Sequence, residues 1–463
     1  MSVIYKKIHK IIGPLVFLEN KHDAKYGEIV KVYSPKDNME RMGQVIEITE
    51  QLIVVEIFEE TRGLSVSDSN ITFLNDIFKI KLSPDMIGNF FNSLGEPIDP
   101  KTRKHKNLNL LTSSIRDVDG YPLNPFARAY PSDVIQTGIS VIDGLFTLVK
   151  GQKLPIFSAQ GLPHDELAAQ IVSQSKTKNE DTFLIIFCGI GLLQDQVDYF
   201  INIFQESGNL QNIISFFNYA DDPIMERLLI PRIALTCAEY FAFEREMDTL
   251  VILTDITNYA EALRELSSAK EEVPSRKGFP GYLYSDFASL FERTGCVKGN
   301  QGSITQIPII TMPNDDISHP IPDTTGYITE GQLVLNRSLH KKHIYPPFEV
   351  LASISRLMKD AIGKETTRGD HADISAQMIA SYSRALEIRD LISIIGEDEL
   401  TREQKRLVEF ARDFENLFLN QGVKENRDFN STFKIIWRVL SKLSKEQLFR
   451  IHSHFIEEYY TTR

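Results

Sequence analysis

The chain has 463 residues, with 51 lysines and arginines against 63 aspartates and glutamates, a formal net charge of −12. Domains run to about 100–200 residues, so this length excludes a single compact core and predicts two to four. Hydrophobic residues at 42% and charged residues at 25% exclude global disorder, and the acidic balance disfavours a protein that grips nucleic acid through a basic surface.

No window approaches the roughly 18 consecutive apolar residues of a membrane-spanning helix. The N-terminus, MSVIYKKIHKIIGPLVFLEN, has a proline and mixed charges where a secretion signal needs an apolar run. The expectation is a cytoplasmic protein that reaches any membrane through partner subunits. Cys188, Cys237 and Cys296 are far apart and form no C-x-x-C pattern, which predicts reduced, mostly buried thiols rather than a zinc site or a disulfide framework.

Residues 1–74 read as a helix-poor unit. The segment GQVIEITEQLIVVEIFEET clusters β-branched and apolar residues between polar turns, which predicts a small closed barrel. Residues 75–346 change character. Apolar runs at 153–158, 182–188, 212–217, 249–254 and 307–312 alternate with helical patterns such as DELAAQIVSQSK. That alternation predicts a mostly parallel sheet covered on both faces, with a ligand crevice beyond the carboxyl ends of its strands. In residues 347–463 the β signal fades. SAQMIASYSRALEIRDLISIIG, TREQKRLVEFARDFENLFLNQG and KEQLFRIHSHFIEEYY read as amphipathic helices of a C-terminal bundle.

A phosphate loop, G-x-x-x-x-G-K-[ST], would follow the first parallel strand. Its backbone N–H groups cradle phosphates, its lysine neutralises them and its hydroxyl holds Mg²⁺. Here the sequence is SAQGLPHD. Gly161 remains inside it, but Ser158 and Pro163 stand for the two glycines, His164 for the lysine and Asp165 for the hydroxyl residue. Pro163 removes a donor, His164 puts an imidazole where the loop needs a permanent cation, and Asp165 repels a polyanion. From the residues alone, the segment is either a plain βα loop with Asp165 capping the helix or the remains of a phosphate site. Asp255, ending LVILTD, suits a carboxylate that holds Mg²⁺ through water, although Asp at a strand end is also ordinary turn chemistry. After Cys188, GIGLLQDQ offers no water-orienting carboxylate until Asp195.

Five segments carry a family likeness. PLNPFARAYPSDVIQTGISVIDGL, KLPIFSAQGLPH, LTDITNYAEALRELS, RKGFPGYLYSDFASLFERTG and TGYITEGQLVLNRSLHKKHIYPPFEVLASISRLMKDAIG resemble the B subunits of V-type and A-type rotary ATPases over nearly the whole chain. LASISRL and GIGLLQDQ are the departures, and neither alters the assignment. The resemblance implies an N-terminal β-barrel, a RecA-like domain with a degenerate phosphate loop and a C-terminal helical domain. It also implies a non-catalytic, regulatory chain alternating with three catalytic A subunits in a hexamer, together with central-stalk and peripheral-stalk subunits and a membrane ion-translocating sector. ATP or ADP would sit at the interface with the catalytic subunit, with Mg²⁺ held by that partner and the loop Ser158, Gly161, His164, Asp165 empty. Closure of the interfaces would turn a central shaft and move H⁺ or Na⁺, or run in reverse to make ATP.

Within SISRLMKD, the resemblance assigns Arg356 to the neighbour's ATP, where a guanidinium stabilises the charge of phosphoryl transfer. Tyr327, Tyr345 and the stretch 278–286 would lie at interfaces near nucleotide. Pro346 and Pro347 would fix a hinge between sheet and bundle. His319, His340, His343 and His371 show no metal-ligand spacing, and no metal site is expected in this chain. Two other readings are a self-sufficient ATPase, opposed by His164 and Asp165, and a hexameric nucleic-acid motor, opposed by the acidic N-terminal segment.

Overall fold

The structure is a computed structural model that describes residues 4–5, 8–21, 23–110, 113–178 and 180–460. Of the expected barrel, residues 1–3, 6, 7 and 22 lie outside the described ones. The rest form one antiparallel sheet in the order Ile4–Tyr5, Asn70–Phe73, Ile29–Ser34, Met39–Ile48, Leu52–Ile57, Leu15–Glu19, Ile8–Ile12. GQVIEITEQLIVVEIFEET is its central hairpin. The alternate residues Val45, Ile53, Val55 and Ile57 point into a core that this sheet keeps to itself. Glu56 faces the other way, towards the second domain. It is 6% exposed, and its Oε1 lacks a hydrogen-bond partner. Burial raises its carboxyl pKa to about 7, with Lys270 and Arg232 pulling the other way.

All five expected apolar runs are strands of the second sheet, whose order is Ile354–Ser355, Gly331–Val334, Ile156–Ala159, Ser303–Met312, Asp248–Thr254, Phe183–Leu192, Ile213–Tyr219, Phe90–Phe91. The inner strands run parallel. Their continuous apolar character follows from burial on both faces. Ile185 and Phe187 pack with the loop helix His164–Gln174 and the C-terminal helices, while Leu184, Ile186 and Cys188 pack with helices Ile224–Glu239, Ile256–Ala269 and Leu283–Phe291. Ile354–Ser355 pairs back onto Gly331–Val334, so the chain returns to the sheet after Pro347 before it becomes purely helical.

In the bundle, His371–Ile395 and Arg402–Asp413 realise two of the expected helices, the second ending in a wider turn at Phe414–Leu419. Two expectations need correction. Phe429–Leu440 is a helix that the sequence reading passed over. KEQLFRIHSHFIEEYY is not one helix: only Ser453–Tyr459 is α-helical, preceded by a short turn at Lys445–Gln447. The break has a tertiary cause, because side chains of His371–Ile395 capture its backbone. Gln377 Oε1 accepts the Arg450 N–H (3.0 Å) and Asp373 Oδ2 accepts the His452 N–H (3.1 Å). The bundle is also tied through Asp370, fully buried, which accepts from Trp437 Nε1 (2.8 Å) and pairs with Arg368 (2.5 Å). His371 is likewise buried and sits against the Gly144 carbonyl and the Thr367 hydroxyl, and burial lowers its pKa to about 4.

Candidate functional site

A cavity of about 840 Å³ opens at the carboxyl ends of strands Ile156–Ala159, Asp248–Thr254 and Ser303–Met312, where this class of fold binds ligands. The loop 160–163 forms one wall. Gly161 holds φ 78°, and nothing lies within 4 Å of where its Cβ would be, so the turn rather than a close neighbour demands glycine. Pro163 sits at the start of the loop helix without a side-chain cap. His164 folds inward: Nδ1 lies 2.9 Å from the Leu162 carbonyl and 3.1 Å from Ser158 Oγ. Asp165 does not cap the helix. Its Oδ2 accepts from Gln196 Nε2 (2.7 Å), and its buried Oδ1 has no hydrogen-bond partner.

Asp255 does cap. Its Oδ1 accepts the Thr257 N–H (2.8 Å) and the Thr311 N–H (3.1 Å), tying helix Ile256–Ala269 to the neighbouring strand. Arg337 was not singled out from the sequence, yet it faces the loop. It is spent on Asp315, with contacts of 2.7 and 2.9 Å, and on the Gln160 carbonyl at 2.9 Å. This pairing lowers the pKa of the Asp315 carboxyl. The cavity thus presents four carboxylates, Asp165, Glu166, Asp255 and Asp315, against one guanidinium that is already paired. Magnesium triphosphate does not fit this donor set. A unit charge about 4 Å from a like charge costs about 4 kcal/mol at an effective dielectric near 20, and no lysine offsets it. Among the described residues no cluster of His, Cys, Asp and Glu could hold a metal ion.

The remaining sequence candidates lie elsewhere. Tyr345 is partly buried. Its hydroxyl donates to Gln170 Oε1 (2.8 Å) on the loop helix, and burial raises its pKa. Gln170 in turn donates to the Gly422 and Glu425 carbonyls, so this tyrosine serves the joint between loop helix and bundle. Tyr327 is 76% exposed, on helix Pro320–Ile328. In the stretch 278–286, Asp286 accepts from Tyr259 Oη (2.5 Å) and Arg232 (3.1 Å), a tie within the chain. Arg356 is exposed just past Ile354–Ser355 and outside the loop cavity. Its Nη1 donates to the Thr329 carbonyl (3.2 Å), and among the described residues it forms no ion pair. No local signal marks Arg337, which follows the short strand Gly331–Val334. Lying parallel beside Ile156–Ala159, that strand delivers Asn336 and Arg337 to the loop.

Among the described residues no helix is long and apolar enough to cross a membrane. Three family models match in register with these units. They are the ATP synthase alpha/beta family β-barrel domain at 8–75, the nucleotide-binding domain of the same family at 138–355, and the C-terminal domain of V and A type ATP synthase at 360–460. The chain is 50% identical to the V-type ATP synthase beta chain of Halothermothrix orenii, over 98% of this chain and 97% of that one. It is 51% identical to the B subunit of the A-type ATP synthase of Aeropyrum pernix, with the same coverage of both chains. A solved structure, the ATP synthase subunit NeqB from Nanoarcheaum equitans, superposes with a TM-score of 0.73 at 39% identity, over 93% of this chain and 99% of that one. A nucleotide-binding scaffold with its phosphate loop remade, carried between this barrel and this bundle, therefore belongs to the B (beta) subunits of V-type and A-type ATP synthases.

Proposed function

We propose that the chain is the non-catalytic, regulatory partner in an alternating hexamer with three catalytic A subunits. Each copy completes a neighbour's ATP site with Arg356 and carries no tightly bound MgATP of its own. Mg²⁺ stays with the partner. Hydrolysis or synthesis at these interfaces is coupled, through central and peripheral stalk subunits, to transport of H⁺ or Na⁺ by the membrane sector.

The observation that carries this reading is the state of Arg356. A guanidinium reserved for a substrate in a neighbouring chain is expected to be exposed, unpaired with carboxylate and held at its backbone, and Arg356 has these properties. The chemistry that needs it is phosphoryl transfer, which spreads negative charge over the equatorial oxygens. Arginine answers with a planar fork that stays charged.

In a complex reassembled with the catalytic subunit, Arg356→Ala is expected to lower ATP turnover about 10³–10⁵-fold, the worth of a guanidinium supplied in trans in related enzymes. Assembly, followed by size-exclusion chromatography, should survive. Arg356→Lys should recover only part of the loss, because a point charge lacks the fork. Unchanged turnover in Arg356→Ala would remove the assignment.

A further inference from the structure

Both hydrogen bonds that fix Arg356 end on one short segment. Its backbone N–H donates to the Glu330 carbonyl (2.9 Å), and its guanidinium donates to the adjoining Thr329 carbonyl (3.2 Å). Whatever holds residues 329 and 330 therefore sets the angle at which the arginine leaves the surface.

That segment is held from below by a buried lysine. Lys153 is 2% exposed, and its Nζ lies 2.8 Å from Glu330 Oε1 and 2.9 Å from Glu292 Oε1. Their backbones take part as well: the Lys153 N–H donates to the Glu330 carboxylate at Oε2 (2.9 Å), and the Glu330 N–H donates to the Lys153 carbonyl (3.1 Å). Gln152, fully buried, adds a second tie. Its Nε2 donates to the Glu330 carbonyl (3.1 Å) and to Ser355 Oγ (2.9 Å), and Ser355 Oγ donates to the Thr147 carbonyl (3.2 Å). Gly331 allows the close approach. A Cβ there would stand 2.3 Å from the Ile354 carbonyl oxygen, so only glycine lets Ile354–Ser355 lie against Gly331–Val334.

A buried ion pair contributes little net stability against an apolar substitute, because desolvation offsets most of its attraction. What it does supply is a fixed geometry, and here the geometry leads through at most one residue to Arg356. We propose that Lys153 and Glu330 are positioning residues for Arg356: their link, with Gln152 and Ser355, aims the guanidinium at the neighbour's nucleotide and acts on turnover rather than on nucleotide affinity. This proposal rests on the trans-arginine reading above. Displacing a reacting group by about 1 Å costs about 10²-fold in rate, which sets the scale.

The test uses the reassembled complex and a double-mutant cycle. Glu330→Gln removes the charge on Lys153's partner while keeping the side chain's size. Ser355→Ala removes the bonds of its hydroxyl to Gln152 and to the Thr147 carbonyl, leaves the Lys153–Glu330 pair in place, and carries the test should Glu330→Gln fail to assemble. Glu330→Gln is expected to lower kcat about 10–100-fold with KM for ATP within about twofold, and Ser355→Ala to do the same more weakly. In the Arg356→Ala background neither change should lower turnover further, since the group they aim is gone. Wild-type kcat in both single variants, or an equal further loss in the Arg356→Ala background, overturns the proposal while leaving the role of Arg356 standing. Full turnover in Arg356→Ala alone overturns the underlying reading and this proposal with it.

Discussion

The charge balance of the loop cavity makes a quantitative claim that the isolated chain can test. Asp165 lies at the position that a phosphate-binding loop gives to a hydroxyl, and its repulsion of a phosphate about 4 Å away is about 4 kcal/mol at an effective dielectric near 20. Affinity changes tenfold for every ~1.4 kcal/mol, so relieving that repulsion alone should tighten MgATP binding about 10³-fold. The variant is Pro163→Gly, His164→Lys, Asp165→Thr, which restores a backbone donor, a cation and a Mg²⁺-binding hydroxyl together. Its structural cost is the Gln196 bond to Asp165 and the His164 contacts with Leu162 and Ser158, each bond worth about 1 kcal/mol of stability. The assay is isothermal titration calorimetry of wild type and variant with MgATP. Wild type should not saturate at about 1 mM nucleotide, where binding is worth about 4 kcal/mol, and the variant should saturate well below it. Micromolar binding by wild type, or a variant that binds no better, would show that these side chains are not what excludes nucleotide.

Two stability predictions follow from buried carboxylates. The folded pKa of Glu56, about 7, lies above its ordinary value of 4.5, so the folded state holds the proton more tightly than the unfolded one. Its contribution is therefore full below pH 4.5 and is lost as pH rises through about 7, to the extent of about 3 kcal/mol. Glu56→Gln should accordingly raise the thermal midpoint more at pH 7.5 than at pH 5, and an equal shift at both would contradict the burial argument. Removing Asp370, in Asp370→Ala, leaves Trp437 Nε1 and Arg368 without their acceptor and should destabilise by about 3–5 kcal/mol. Trp437 is the only tryptophan, so its fluorescence in a urea titration reads the loss directly, and an unchanged midpoint would refute it.

How far the sequence could be read depended on whether an element's signal was local. Strands such as Phe183–Leu192 and Asp248–Thr254 announce themselves because burial on both faces demands an unbroken apolar run. Gly331–Val334 does not, since four residues of mixed character become a strand only through tertiary pairing, with Ile156–Ala159 on one side and Ile354–Ser355 on the other. With it went Arg337, whose hold on the Gln160 carbonyl completes the remaking of the loop. Helix Phe429–Leu440 was legible: Asp428 caps it, and Phe429, Phe433, Ile436, Trp437 and Leu440 keep helical spacing. The opposite error, at KEQLFRIHSHFIEEYY, arose because buried Leu448 and Ile451 imitate one face of a helix while Gln377 and Asp373 take its backbone donors from another element. The loss of the lysine and both glycines from the phosphate loop was plain in the letters. The inward turn of His164 and its Nε2 standing 3.7 Å from an Asp165 Oδ1 that accepts no hydrogen bond required coordinates.

The bonds from Gln170 to the Gly422 and Glu425 carbonyls, with Tyr345 bonded to the same amide, leave the first helix after the loop no slack of its own. Any shift of that helix would strain these three bonds first, and with them residues 422–425 of the C-terminal domain.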